Sequence, residues 1–158
     1  MTVRLIFLAT SLMLGLPALA ADHTRPSDIK VAPLSADVPA HCAEFYSETG
    51  WGKAIWDSGR YGELWVESIS SDCTAQVVYV FGPRGQQPGG YLRVSDAKIK
   101  GKYLTFVLDL EYLGQRVVAD VRYESAKAYS DKRPLLMGRW AGRSGGSTTY
   151  ITLEKGAL

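Results

Sequence analysis

The chain has two thiols, Cys42 and Cys73, and two histidines, His23 and His41. In an exported protein an even pair of cysteines reads as a disulfide. The rival is a metal or redox pair, but four-ligand zinc sites and C-x-x-C motifs need closer or more numerous ligands. Both histidines precede the first strand-like segment, so a Ser-His-acid or Cys-His site cannot be built within the sheet that follows. H-E-x-x-H is absent. Two carboxylate pairs, Asp109 with Glu111 and Glu63 with Glu67, have a spacing open to acid–base work, although charged residues on strands are more often solvated. Residues 82–90 are glycine-rich but lack the G-K-[ST] of a phosphate loop, and no helical pattern follows. The expectation is a protein without catalytic residues, without a metal and without a cofactor.

The remaining candidates are aromatic. There are four tryptophans and nine tyrosines, and three of the tryptophans fall between residues 51 and 65. Flat apolar faces with a polar edge stack on sugar rings and apolar ligands. Trp51, Trp56, Tyr61 and Trp65 therefore form the candidate ligand surface, brought together by a hairpin. The competing reading is core packing. Lys98, Lys100 and Lys102 repeat with period 2. They read as a charged row protecting a sheet edge, or as a seat for an anionic partner.

These residues need a scaffold, and the turn signals outline one. From Gly50 onward, short apolar stretches alternate with Gly, Pro, Asp and Ser turn signals every 8 to 14 residues. That rhythm predicts an all-β fold, an antiparallel meander of about eight strands. Strands are expected at 51–56, 63–69, 74–81, 91–96, 103–109, 116–124, 135–140 and 148–153. The run Val77 to Phe81 calls for burial on both faces or a central position in the sheet. The lysine face cannot continue into Leu104, Phe106 and Leu108 without conflict, so Gly101 marks a turn. Eight strands suffice to close a sheet, which favours a small calycin-like barrel over the alternative, a β-sandwich.

Residues 1–20 read as a signal peptide: Arg4, an apolar run, Pro17, then Ala18-Leu19-Ala20 before a cut at Ala21. The run is short of the roughly 20 apolar residues of a spanning helix. Residues 21–47 read as an extended, flexible tail with a helical turn near 40–47, tethered by the Cys42–Cys73 bridge. Residues 48–158 form the barrel domain. Seventeen Lys and Arg remain against sixteen Asp and Glu once Arg4 leaves with the leader, a net charge of +1. Such a balance gives no drive toward nucleic acid or anionic lipid.

Three segments also carry a family likeness. Gly50-Trp51-Gly52 with Trp56-Asp57, Leu64-Trp65-Val66-Glu67, and Ala75 through Gly82 resemble an uncharacterised bacterial exported domain rich in Trp and Gly. That domain closes on an L-x-G-x-W segment, here Leu136-Met137-Gly138-Arg139-Trp140. The resemblance implies export and offers no functional residues; one departure is the five-residue step from Trp51 to Trp56, where four is expected. The function expected is a periplasmic or secreted binding module for an apolar or carbohydrate ligand or an envelope partner. The alternatives are an inhibitor that docks a loop into a hydrolase, and a carboxylate-dependent hydrolase.

Overall fold

The computed structural model describes residues 25–83, 88–112, 115–143 and 148–156. The expected leader, its cut at Ala21 and His23 lie outside them. One helical turn, α1 (Ala40–Ala43), precedes eight strands: β1 (Trp51–Ile55), β2 (Tyr61–Ile69), β3 (Thr74–Phe81), β4 (Gly90–Lys100), β5 (Tyr103–Tyr112), β6 (Gln115–Lys127), β7 (Pro134–Gly142) and β8 (Thr148–Lys155). Each strand pairs antiparallel with the next, and β8 returns to β1, so the sheet closes into a barrel. This is the calycin-like barrel rather than the sandwich.

Closure changes the reading of the lysines. Lys98 and Lys100 belong to β4, which continues past Asp96, and Lys98 lies between paired neighbours Thr74 on β3 and Thr105 on β5. There is no edge for them to protect. They point outward because Ala97 and Ile99 fill the inward positions. Gly101 does make the turn, in a left-handed conformation with φ of 57°, and Lys102 beside it reaches Glu124.

Three bulges set which side chains face inward. One lies between Trp51 and Ala54, where β1 spends three residues against two of β2. An extra residue restores the inward phase after an odd step, so Trp51 and Trp56 both enter the core although five residues separate them. A second bulge sits at Glu67, between Val66 and Ser68. The third lets Val94 and Ala97 of β4 both pack inward.

Glycines in β2 and β7 leave room for large rings. A Cβ at Gly138 would stand 2.5 Å from both Tyr123 and Ile151, and one at Gly62 would stand 2.6 Å from the Trp56 ring nitrogen. Trp56, Tyr79, Phe81, Phe106 and Tyr123 occupy that space as a continuous aromatic cluster, with centroids 5.9 to 6.5 Å apart. The strand β3 is buried on both faces: Val77, Tyr79 and Phe81 lie in the core, while Val78 and Val80 face outward and are fully covered.

The barrel wall is uneven. β5 and β6 pair over ten positions, β4 and β5 over three, from Lys98–Thr105 to Lys100–Tyr103. Beyond these three pairs β4 and β5 run on without pairing each other.

Candidate functional site

One end of the barrel is sealed. Cys42 and Cys73 form the expected disulfide, with Cα atoms 5.8 Å apart. The bridge holds α1 across that end, with Phe45 fully buried beneath it. The Trp51 indole N–H donates to the Phe45 carbonyl at 2.8 Å, and the Lys155 ammonium lies 5.7 Å over the Trp51 ring. Gly50 and Gly156 close the seam with a backbone bond of 3.1 Å. His41 stands against Cys73, Nε2 to Sγ 3.7 Å; both sulfurs are committed to the bridge, which removes the thiolates a metal would need.

Polar groups collect inside the barrel between this seal and the β1–β2 turn. The Trp56 indole N–H and the Tyr123 hydroxyl are buried and have no hydrogen-bond partner among the described residues. Their rings lie 6.4 Å apart. Tyr79 is the third member, edge-on to Trp56 at 6.5 Å. Burial pushes the Tyr79 phenol up to about 12, against a smaller opposing pull from the Trp56 N–H and the Arg60 charge. The Trp56 N–H thus lies close enough to favour a Tyr79 phenolate, yet it closes no hydrogen bond of full geometry. Burial, with the Tyr79 phenol beside it, pushes Tyr123 well above the ordinary phenol range. Both tyrosines are therefore neutral O–H groups near neutral pH. Arg60 sits further along, its guanidinium 5.5 Å over the Phe81 ring. Native interiors leave few such groups unpaired.

A second polar centre lies outside the barrel, on β2. Glu63 is 3% exposed and accepts four hydrogen bonds. Arg25 gives two, each 3.1 Å, Trp65 gives one at 3.0 Å, and the Tyr61 hydroxyl makes the fourth contact. Burial alone would raise the Glu63 carboxyl; the hydrogen bonds from Arg25, Tyr61 and Trp65 outweigh it and hold the group below its usual 4.5. Arg25 also stacks 4.9 Å over the Trp65 ring. The segment that follows crosses β2 to β4. Asp28 takes two hydrogen bonds from Arg93, and the Ala32 N–H donates to the Glu67 carbonyl at 2.8 Å. These contacts tie it to β2 and β4, the two strands that flank β3.

The four aromatic candidates separate accordingly. Tyr61 and Trp65 meet at Glu63, on the outer face. Trp51 belongs to the sealed end, and Trp56 to the interior. The alternation of Val117, Ala119, Val121 and Tyr123 with Val118, Asp120, Arg122 and Glu124 sets Tyr123 on the dry face of β6 but gives no sign that its hydroxyl lacks a partner among the described residues. The carboxylate pairs fare differently. Asp109 is exposed and held by Arg116, the Glu111 side chain lies outside the described residues, and Glu63 is shifted in the wrong direction for a general acid. Comparison with known proteins yields no match to any protein-family model, curated protein or solved structure.

Proposed function

We propose that this protein is an exported, non-catalytic binding barrel of the cell envelope. Its ligand is a small apolar or carbohydrate molecule that presents an acceptor oxygen to Trp56 and Tyr123. The observation that carries this reading is the pair of buried donors, without a hydrogen-bond partner among the described residues, inside an aromatic cluster. Ligand chambers combine apolar walls with a few placed polar groups. A barrel interior that served only as core would favour Phe at position 123, because an unpaired buried hydroxyl costs about 1–3 kcal/mol. The short β4–β5 pairing supports a route inward through the wall. Export is supported by the leader pattern of residues 1–20, by the disulfide and by the likeness to an exported Trp/Gly-rich domain.

Tryptophan fluorescence titrated with envelope glycans and lipids tests the reading, using wild type, Trp56→Phe and Tyr123→Phe. A saturable response that weakens in both variants supports it. A flat response across the panel, or one that survives in Trp56→Phe, rejects the interior site.

One observation favours a second reading, docking of a loop into a partner hydrolase. Tyr129 is 95% exposed at the tip of the β6–β7 connection. That connection is braced by Ala128 N–H to the Arg133 carbonyl at 2.8 Å and by Arg133 to Glu154 at 3.0 Å. A rigid, exposed aromatic is the type of residue that anchors protein interfaces. Loss of partner capture on Tyr129→Ala, with ligand binding intact, would distinguish it.

A further inference from the structure

Among the described residues, Arg116, Asp120 and Glu124 on β6 each have an ion-pair partner, while Arg122 and the terminal Lys127 have none. Arg116 holds Asp109 on β5. Asp120 is held by Arg143 at 3.0 Å, and Glu124 by Lys102. Arg122 differs. Its register partner on β7 is Arg139, so two arginines stand directly opposite one another. Like charges in that relation destabilise a sheet. The Arg122 guanidinium rests 4.7 Å over the Tyr103 ring. Among the described residues no carboxylate pairs with Arg122 or Arg139.

Both arginines border a groove of about 450 Å³ on the barrel's outer wall. Lys98 and Thr105 continue its lining from β4 and β5, and Val107 and Ala141 give it apolar surface. Lys98 donates to the Thr74 hydroxyl at 2.6 Å, and among the described residues it makes no direct ion pair, although its charge also bears on Asp72. Asp96 and the Arg143-bound Asp120 are the acidic groups on the lining.

We infer that this groove binds a phosphate group, gripped by Arg122 and Arg139 and assisted by Lys98. A guanidinium is a planar fork of donors, and one carboxylate fills a single fork. A phosphate has three terminal oxygens in a tetrahedral array and accepts from two forks and an ammonium together. Its charge also offsets the repulsion between the opposed arginines, with neither of which a described carboxylate pairs. The apolar surface takes the organic body of a phosphate ester. The site lies outside the barrel and stands independently of the interior reading.

The test is an amide NMR titration with inorganic phosphate at low ionic strength, on wild type, Arg139→Gln, Arg122→Gln and Lys100→Gln. Lys100 is an outward lysine of β4 that does not line the groove. Saturable shifts centred on residues 98, 105, 122 and 139 are expected. Either arginine substitution should weaken binding about tenfold or more, the loss of one charge-assisted fork, while Lys100→Gln leaves it unchanged. Thermal melting gives a second readout. Without phosphate, Arg139→Gln should melt at or above wild type, because a repulsion is gone; with phosphate, wild type should gain and the variant should not. Sedimentation with phosphatidylcholine vesicles, with and without phosphatidic acid, separates the sources. Retention that needs both phosphatidic acid and Arg139 identifies a lipid headgroup, and binding confined to soluble phosphate identifies a free ester. The inference is overturned by absence of saturation in both arms, by shifts spread evenly over all basic residues, or by equal weakening in Lys100→Gln.

Discussion

Trp56 and Tyr123 meet inside the barrel with ring centroids 6.4 Å apart, and among the described residues neither the indole N–H nor the phenol hydroxyl has a hydrogen-bond partner. The glycines that admit those two rings are what make the arrangement possible. Gly62 lies against Trp56 and Gly138 against Tyr123, each at a distance no Cβ tolerates. The aromatic cluster is therefore a property of residues on β2, β6 and β7 acting together.

Gly138→Ala should be destabilising. The added methyl meets the Tyr123 ring and Ile151 at 2.5 Å, and overpacking of this kind costs about 1–3 kcal/mol. Denaturant unfolding monitored by near-UV circular dichroism checks it, since Tyr123 must leave its present rotamer. An unchanged midpoint would mean that the β6–β7 pair is less tightly held than its register indicates.

Removal of the bridge by Cys42→Ser with Cys73→Ser should lower stability by ~2–4 kcal/mol while leaving the barrel folded. The bridge ties residues 31 positions apart and holds α1 over the sealed end. The sheet itself closes through β8 and β1 without it. Urea unfolding with far-UV detection measures the loss, and a variant with no strand signal would contradict the division of labour.

Trp51→Phe should cost about 0.5–1.5 kcal/mol, the net worth of one hydrogen bond. The ring remains to pack against Lys155, but the bond to the Phe45 carbonyl is lost. Hydrogen exchange at Phe45 and its neighbours should quicken in the same variant, since that end loses its tie.

Acid should release the N-terminal segment. The Glu63 carboxyl is held below 4.5 in the folded chain by hydrogen bonds that outweigh its burial, and it returns to about that value on unfolding. The unfolded state then binds more protons than the folded state in this window. The contribution of Glu63 to stability is complete above pH 4.5 and is lost as pH falls through the lower folded value. Wild type should lose stability more steeply than Glu63→Gln below pH 4.5, and parallel curves would remove Glu63 from the acid response.

The strand plan was legible because its signals are local. Gly101 ends the lysine face, and alternation from Val117 to Tyr123 fixes which side of β6 is dry. The bulges were not legible. The odd step from Trp51 to Trp56 conflicts with a regular strand, and only the pairing with Leu64 and Gly62 shows the extra residue. Contacts between distant segments were also hidden. Arg25 and Glu63 are 38 positions apart, and no periodic pattern links a proline-rich segment to one strand. Arg122 and Arg139 each look like ordinary surface charges until the register sets them opposite. The unpaired donors of Trp56 and Tyr123 depend on where two rings end in space, which residue types do not encode.

High-resolution diffraction from protein purified from its native cells, with native mass spectrometry of the same sample, tests the interior site most directly. A bound small molecule is expected, with an oxygen within about 3.2 Å of both Trp56 Nε1 and the Tyr123 hydroxyl, and with a matching mass increment. A mass equal to that of the chain alone, with the two donors satisfied by water or by each other, would contradict the proposal.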